Sequence, residues 1–77
     1  MSAAPDDGGG SIRVAVNGEA VTVATRTSIA AYVESLGFGA ARVAVERNGR
    51  LVPNGSFAEV ILAEGDRLEV VTLVGGG

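Results

Sequence analysis

The sequence predicts an α+β fold in which a mixed sheet of about five strands carries one main helix on one face. Three observations lead to this prediction. Short segments of alternating apolar residues flank two Asn-Gly pairs, one segment repeats its apolar residues with helical spacing, and a last apolar segment reads V-V-T-L-V. Alternation indicates half-buried strands, whereas the i, i+3, i+4, i+7 spacing indicates a helix with one apolar face.

The first two strands are predicted to form an antiparallel hairpin. Apolar residues occupy alternate positions in residues 12–16 and again in residues 20–24, as in half-buried strands. Asn17 and Gly18 lie between the two segments. This pair suits a tight type I′ turn because both central residues of that turn need a positive φ.

One main helix is predicted over residues 28–36. Thr27 is the predicted N-cap because its hydroxyl can accept a hydrogen bond from the first turn. Gly37 suits the left-handed position at which many helices end. The apolar face of this helix consists of Ile29, Tyr32, Val33 and Leu36.

The second half of the chain is predicted to add three strands. Residues 42–46 and 50–52 flank the second Asn-Gly pair, and Pro53 ends the shorter strand because proline has no N–H for the ladder. Residues 57–62 are predicted to form a single helical or 3₁₀ turn under the sheet, with Phe57, Val60, Ile61 and Leu62 buried. Residues 67–74 form the last strand.

The element order β-β-α-β-β-β is that of a β-grasp, the α+β fold of ubiquitin. Right-handed crossover connections favour a last strand that lies parallel and adjacent to the first strand. Sheet and helix then make two layers around one core. The residues predicted to be buried are Val14, Val16, Ile29, Val33, Leu36, Val43, Leu68 and Val70.

The composition excludes several kinds of chemistry. The chain has 77 residues, of which 47% are hydrophobic and 19% charged, as in one small globular domain. It contains neither cysteine nor histidine, which removes thiol nucleophiles, disulfides and the usual zinc ligands. Six scattered basic residues face nine acids, so we predict no nucleic-acid partner.

The chain is predicted to consist of a flexible leader at residues 1–11, a β-grasp domain at residues 12–74 and a flexible glycine tail at residues 75–77. Near Met1 there is no apolar core of a signal peptide, and no apolar run reaches the length of a membrane span. We therefore expect a cytoplasmic protein without a membrane partner, and a monomer on its own.

Catalysis by side chains is not indicated. Glu64 and Asp66 flank Gly65 and are interpreted as solvated turn residues. The serines have no histidine to activate them, and no metal-binding residues are grouped. Gly8–Gly10 precede a strand and receive no functional role. The remaining candidate for chemistry is the main-chain carboxylate of Gly77.

This carboxylate follows three glycines that come directly after the last strand. Without side chains, Gly75, Gly76 and Gly77 can enter a narrow slot in another protein. A carboxylate resists nucleophiles because of its own negative charge, but an acyl-adenylate made with ATP has a good leaving group. A sulfur nucleophile can then displace AMP and leave a terminal thiocarboxylate.

Three segments resemble the thiamine-biosynthesis sulfur carriers of the ThiS family. They are N-G-E near the start, V-A-V-E-R-N-G-R-L-V-P at residues 43–53, and L-A-E-G-D-R-L-E-V-V-T-L-V-G-G-G at residues 62–77. Two features depart from the family pattern. Asn54-Gly55-Ser56 replaces the usual basic residue and serine after Val-Pro, and the chain has three terminal glycines where many members have two.

The resemblance implies a carrier that catalyses nothing itself and binds no cofactor. A ubiquitin-activating-type adenylating enzyme (ThiF-like) would use ATP and magnesium to activate Gly77, with Gly76 beside it. A cysteine desulfurase or another source would supply sulfur. Thiazole synthase (ThiG-like) would then take the sulfur for the thiazole ring of thiamine.

Three alternatives stay open at this point. The small subunit of molybdopterin synthase would use the same tail chemistry with a different partner. A ubiquitin-like modifier would instead form isopeptide bonds to lysines of target proteins. A β-grasp interaction module would have an inert tail.

A partner surface is predicted beside the tail. If Leu68, Val70 and Thr72 face the helix, alternation directs Val71 and Leu73 outward. Two outward apolar side chains next to a reactive terminus can dock on an enzyme. Isolated exposed apolar side chains are also common on proteins without a partner.

Overall fold

Two Asn-Gly turns organise the strands in the computed structural model, which describes residues 10–73. Asn17 and Asn48 adopt φ values of 51° and 53°, and the glycine after each has a φ of 87°, as type I′ turns require. Each turn joins two antiparallel strands. The strands are β1 (Ser11–Val16), β2 (Glu19–Ala24), β3 (Val43–Arg47), β4 (Arg50–Val52) and β5 (Arg67–Thr72).

The last strand lies at the centre of the sheet, whose strand order is β2-β1-β5-β3-β4. β5 pairs in parallel with β1 and antiparallel with β3. Within the described residues, the two hairpins are therefore joined to each other through β5. This arrangement confirms the predicted β-grasp sheet, including the parallel pairing of the last strand with the first.

Helix α1 (Ile29–Ser35) packs on one face of this sheet. Ser28 is its N-cap, since the Ser28 hydroxyl oxygen accepts a hydrogen bond from the Ala31 N–H at 3.0 Å. The predicted cap at Thr27 is wrong. The Thr27 hydroxyl instead donates to the Ala24 carbonyl at 2.6 Å and closes the turn after β2.

Gly37 ends the helix as predicted, with a φ of 92°. The Gly37 N–H donates to the Glu34 carbonyl at 2.8 Å, and the Phe38 N–H donates to the Val33 carbonyl at 3.3 Å. Together these bonds form a Schellman motif. The motif fixes the position of Phe38 just beyond the end of the helix.

The core lies between α1 and the inner face of the sheet. Six of the eight residues predicted to be buried are buried, and Val70 is half-buried against them. The prediction for Leu36 is wrong, because 42% of its surface is exposed. Leu36 is the C-cap of α1, and its side chain lies in an open groove rather than under the sheet.

The segment between β4 and β5 also differs from the prediction. A 3₁₀ helix spans Asn54–Ser56, earlier than the helical turn predicted at residues 57–62. Phe57 and Leu62 are buried, whereas Ile61 is 45% exposed and forms an isolated bridge with Ser28. The predicted burial of Ile61 is wrong because neighbouring side chains point to opposite sides where the chain is extended.

Asn54 connects this segment to the start of β3. Its side-chain amide donates to the Ala40 carbonyl and, at 3.3 Å, to the Val43 carbonyl. Ala40 belongs to a second 3₁₀ helix, Ala40–Arg42, which comes directly before β3. The predicted third strand therefore begins one residue later than expected, at Val43.

Several predictions about the ends of the chain lie outside the described residues. These are residues 1–9 of the predicted leader, the last position of the predicted fifth strand at residue 74, and the glycine tail at residues 75–77. β1 begins at Ser11, one residue before the predicted first strand. In residues 10–73, no helix is long and apolar enough to cross a membrane.

Candidate functional site at the end of β5

The start of β5 is held by a buried carboxylate. Asp66 is 5% exposed, and its side chain accepts hydrogen bonds from Arg47 Nε at 2.8 Å and from the Asn48 amide at 3.1 Å. The Ala63 N–H donates to the same side chain at 2.8 Å. The interpretation of Asp66 as a solvated turn residue is therefore wrong, although Glu64 in the same turn is exposed.

This network holds the pKa of Asp66 below its ordinary value. Burial alone would raise the pKa, because the charged form loses water. The hydrogen bonds from Arg47, Ala63 and Asn48, together with the positive charge of Arg47, outweigh that effect. The charged form of the Asp66 carboxylate is thus stabilised by groups of the fold, and the side chain anchors the turn before β5.

The asparagines of the two turns both bind the main chain of β5. Asn17 donates its side-chain amide to the Val70 carbonyl at 3.1 Å and accepts from the Val70 N–H at 2.8 Å. Asn48 accepts from the Arg67 N–H at 2.9 Å through its side-chain oxygen, and its own N–H donates to the Arg67 carbonyl at 2.7 Å. Each asparagine therefore pairs with β5 as a short strand would.

Pairing continues one residue past β5. The Leu73 N–H donates to the Arg42 carbonyl at 2.7 Å, so the chain still runs beside β3 where it approaches the glycine tail. A hollow at this point is lined by Gly37, Phe38, Gly39, Arg42, Thr72 and Leu73. We call it the exit hollow.

The two residues of the predicted partner surface are both exposed, Val71 by 56% and Leu73 by 47%. They line different surfaces. Leu73 belongs to the exit hollow. Val71 lies on the outer face of the sheet, in a shallow patch with Ala44 and Leu51, and Leu51 is 67% exposed. We call this second surface the outer patch.

Two carboxylates complete the outer patch. Glu46 and Glu69 stand directly opposite each other on β3 and β5, and both line the patch. Like charges in such a pair destabilise a sheet slightly. Neither glutamate has an ion-pair partner among the described residues. The outer patch is thus apolar with an uncompensated acidic border.

A groove on the other side of β5 exposes further apolar surface. It has a volume of about 450 Å³. Leu36 and Phe38 form one wall, and they are 42% and 37% exposed. Thr72, predicted to face the helix, lines this groove but is exposed. The groove is also lined by Val16, Asn17, Glu19, Val21, Tyr32 and Val70, and we call it the hairpin groove.

The described part of the site contains no cluster of potential metal ligands. In residues 10–73, no group of three or more His, Cys, Asp or Glu residues could hold a metal ion. The predicted reactive residues Gly75, Gly76 and Gly77 lie outside the described part. The structure shows the end of β5 that precedes them. This strand end is exposed between the outer patch and the hairpin groove.

Comparison with known protein families identifies the family of this domain. The model of the ThiS family matches residues 10–77. The chain belongs to the ThiS family. The match covers the whole described domain and extends through the glycines, as the resemblance of the three sequence segments predicted.

Relatives of known sequence agree with this assignment. The chain is 38% identical over 66 residues to thiazole synthases of Paramagnetospirillum magneticum and Magnetococcus marinus. The aligned part covers 86% of this chain but only 20% of either relative, so the chain spans about a fifth of their length. An uncharacterized protein, ycf40 of Pyropia yezoensis, is 39% identical over 86% of this chain and 93% of its own length.

A solved structure confirms the fold of this ThiS family member. The crystal structure of the thiamine biosynthesis protein ThiS from Geobacter metallireducens superposes with a TM-score of 0.72 at 29% identity. The superposition covers 86% of this chain and 100% of that one. The mixed five-stranded sheet with its single helix is therefore the β-grasp of this family.

Proposed function

We propose that this ThiS family member is the sulfur carrier for formation of the thiazole ring in thiamine biosynthesis. The observation that carries the proposal is the family match through Gly77. The matched region includes both the glycine tail and the domain before it. The last strand of that domain ends exposed between the outer patch and the hairpin groove. The relatives named thiazole synthase support the thiamine pathway over other uses of the same tail.

In the proposed reaction, the Gly77 carboxylate attacks the α-phosphorus of ATP. Pyrophosphate leaves and an acyl-adenylate forms. If the donor is sulfide, its attack on the acyl carbon expels AMP and gives the thiocarboxylate directly. If the donor is a persulfide, its outer sulfur attacks the acyl carbon and AMP leaves. A thiol then attacks the donor's own sulfur in the resulting acyl disulfide, forms a disulfide with the donor and releases the thiocarboxylate. No side chain hinders attack at a glycine carbonyl. The carrier supplies the acyl group and its presentation, and its own side chains take no catalytic part.

The partner enzymes supply the rest of the chemistry. A ubiquitin-activating-type adenylating enzyme binds ATP and magnesium, so we expect the carrier to hold neither by itself. A cysteine desulfurase or another donor provides sulfur, and a thiazole synthase accepts it. Val71 and Leu73 belong to the surface that these partners contact, Val71 through the outer patch and Leu73 through the exit hollow.

The test is the intact mass of the carrier after incubation with an adenylating enzyme, ATP, magnesium and a sulfur donor. We expect a gain equal to the mass difference between sulfur and oxygen. The product should react with alkylating reagents although the chain contains no cysteine. A full-length carrier that never gains this mass with an active adenylating enzyme would contradict the proposal.

Two variants localise the change to the terminus. Deleting Gly76 and Gly77 should abolish the mass gain, and adding one residue after Gly77 should do the same because the carboxylate is displaced. Deleting residues 1–9 is the matched control and should leave the gain intact. Sulfur transfer from the loaded carrier to thiazole synthase, and not to molybdopterin synthase, identifies the pathway.

A further inference from the structure

One edge of β5 loses its strand partner before the strand ends. β1 pairs with β5 at Ala15–Arg67 and Val16–Leu68, and there β1 stops. The Asn17 N–H still donates to the Leu68 carbonyl at 2.9 Å. The Asn17 side chain then hydrogen-bonds to both the N–H and the C=O of Val70. Beyond Val70, no group in residues 10–73 bonds to this edge of β5.

Thr72 is the next residue whose main chain faces this edge. In an antiparallel ladder, successive residues direct their N–H and C=O groups to opposite sides. Leu73 bonds toward β3 through Arg42, and Val70 bonds toward Asn17. The N–H and C=O of Thr72 therefore point away from β3, into the hairpin groove, where no described residue bonds to them.

The groove beside this edge is apolar. Leu36 and Phe38 remain 42% and 37% exposed there, and the Schellman motif at Gly37 fixes Phe38 in place. An edge with a free donor and a free acceptor beside apolar walls has the features of a site for β-strand addition. Main-chain bonds then provide affinity, and pockets for alternate side chains provide specificity.

The short distance between this edge and the chain terminus indicates which molecule binds at the edge. Four residues follow Leu73, and they reach about 14 Å when extended. An enzyme that binds the Gly77 carboxylate must therefore come close to Thr72. We propose that the adenylating enzyme adds an extended segment to the β5 edge, pairing its main chain with Thr72 and placing an apolar side chain between Leu36 and Phe38. This inference rests on the proposed function.

Thr72→Pro tests the main-chain part of the inference. Proline removes the N–H that points into the groove, but no ladder bond within the sheet depends on that N–H. We expect the affinity for the adenylating enzyme, measured by calorimetry, to fall at least about tenfold through loss of the pairing. Unchanged affinity in a folded Thr72→Pro carrier would overturn the inference.

Thr22→Pro is the matched control. The Thr25 N–H donates to the Gly10 carbonyl at 3.2 Å, so alternation directs the Thr22 N–H outward from the free edge of β2. This variant makes the same substitution at the outer edge of β2, where the N–H that is lost points away from β1 and β5. It should bind the enzyme within about twofold of the unaltered carrier.

Leu36→Asp tests the apolar wall, with Ile61→Asp as its control. The two residues have similar exposure, 42% and 45%, but Ile61 pairs with Ser28 at the opposite end of α1. Only Leu36→Asp should weaken binding, by about tenfold. Equal effects of the two variants would show a general loss of apolar surface and would overturn the assignment of the groove.

Amide hydrogen exchange gives a readout that does not depend on a substitution. Exchange at Thr72 should be fast in the free carrier and at least about tenfold slower with the enzyme bound. Protection that rises with carrier concentration alone would assign the edge to a second copy of this chain and overturn the inference. If Thr72→Pro does not fold, an ester in place of the Thr72 amide removes the same donor and repeats the binding test.

The inference and the proposed function fail in different ways. If the unaltered carrier never gains sulfur, the proposed function is wrong. If it gains sulfur, and Thr72→Pro binds and gains sulfur equally well, only the pairing at Thr72 is wrong.

Discussion

The two ends of β5 are built in opposite ways. At its start, the Arg67 main chain is bound by Asn48, and the preceding Asp66 is buried among hydrogen-bond donors. At its end, Val71 and Leu73 are about half exposed, and one edge of Thr72 has no strand beside it. The same six-residue strand thus serves as an anchor at one end and as an exposed platform at the other.

This difference shows how a small domain can be stable and still leave part of a strand free to bind a partner. Hydrogen bonds at the start of β5 hold the strand in the sheet and satisfy its main-chain polar groups. At the exposed end, apolar side chains and main-chain groups stay free for a partner. Substitutions at the two ends should therefore separate stability from binding.

Asp66→Ala should lower the free energy of unfolding by about 2–4 kcal/mol, because it leaves Arg47, Asn48 and the Ala63 N–H without their acceptor. Denaturant unfolding measures this loss. Glu64→Ala is the control in the same turn. Glu64 is exposed and accepts one bond, from the Arg13 N–H at 2.9 Å, so its loss should cost less than about 1 kcal/mol. Equal losses would contradict the anchoring role of Asp66.

Acid should remove the same contribution. Since the pKa of Asp66 is lower in the folded than in the unfolded protein, its contribution is fully present above about pH 4 and is lost as the pH falls through the folded pKa. The difference in unfolding free energy between the unaltered protein and Asp66→Asn should narrow below about pH 4. A difference that stays constant down to pH 2 would show that the carboxylate charge is not involved.

Asn17→Ala should cost about 1–2.5 kcal/mol, through two lost bonds to Val70 and a positive φ of 51° at a residue with a Cβ. Asn17→Gly separates the two causes, because glycine tolerates that φ but also lacks the amide. If both variants lose equal stability, the cost lies in the bonds to Val70. If Asn17→Gly is as stable as the unaltered protein, the side-chain bonds contribute nothing.

Leu73→Glu should leave the unfolding free energy within about 0.5 kcal/mol, since the side chain is half exposed. It should weaken binding to the adenylating enzyme by about tenfold, because it places a charge at an apolar contact. Ile61→Glu, on an equally exposed apolar residue away from the tail, is the control for binding. Unaltered binding of Leu73→Glu would place the interface elsewhere.

The sequence predicted the parts of the fold that depend on local geometry. Alternation located the strands, the Asn-Gly pairs located both hairpins, and Gly37 located the end of the helix. The parallel place of β5 followed from crossover handedness. The errors arose at residues whose burial depends on tertiary contacts. Leu36 has the right spacing for the core, but the sheet does not extend over it, and no local pattern reveals how far a sheet extends.

The candidate site was predictable in part for the same reason. Alternation along β5 predicted that Val71 and Leu73 face outward, and both side chains are exposed, as is Thr72 between them. It could not show that the two residues line separate surfaces. The roles of Asn17 and Asn48 on β5 were also missed, since each asparagine is already explained by its turn. Asp66 looked like a turn acid because its partners, Arg47 and Asn48, lie 19 and 18 residues away.

The central position of β5 has a consequence for how the chain folds. Each hairpin pairs residues that are close in sequence and can form early, whereas β5 must find β1 across about fifty residues, a slow, entropically costly closure. β5 joins both hairpins, so its docking completes the sheet in one step. The Thr72 edge, the outer patch and the exit hollow all include β5 residues, so none exists before that step. A partner that binds these surfaces therefore binds chains in which β5 has docked and discriminates against incompletely folded ones.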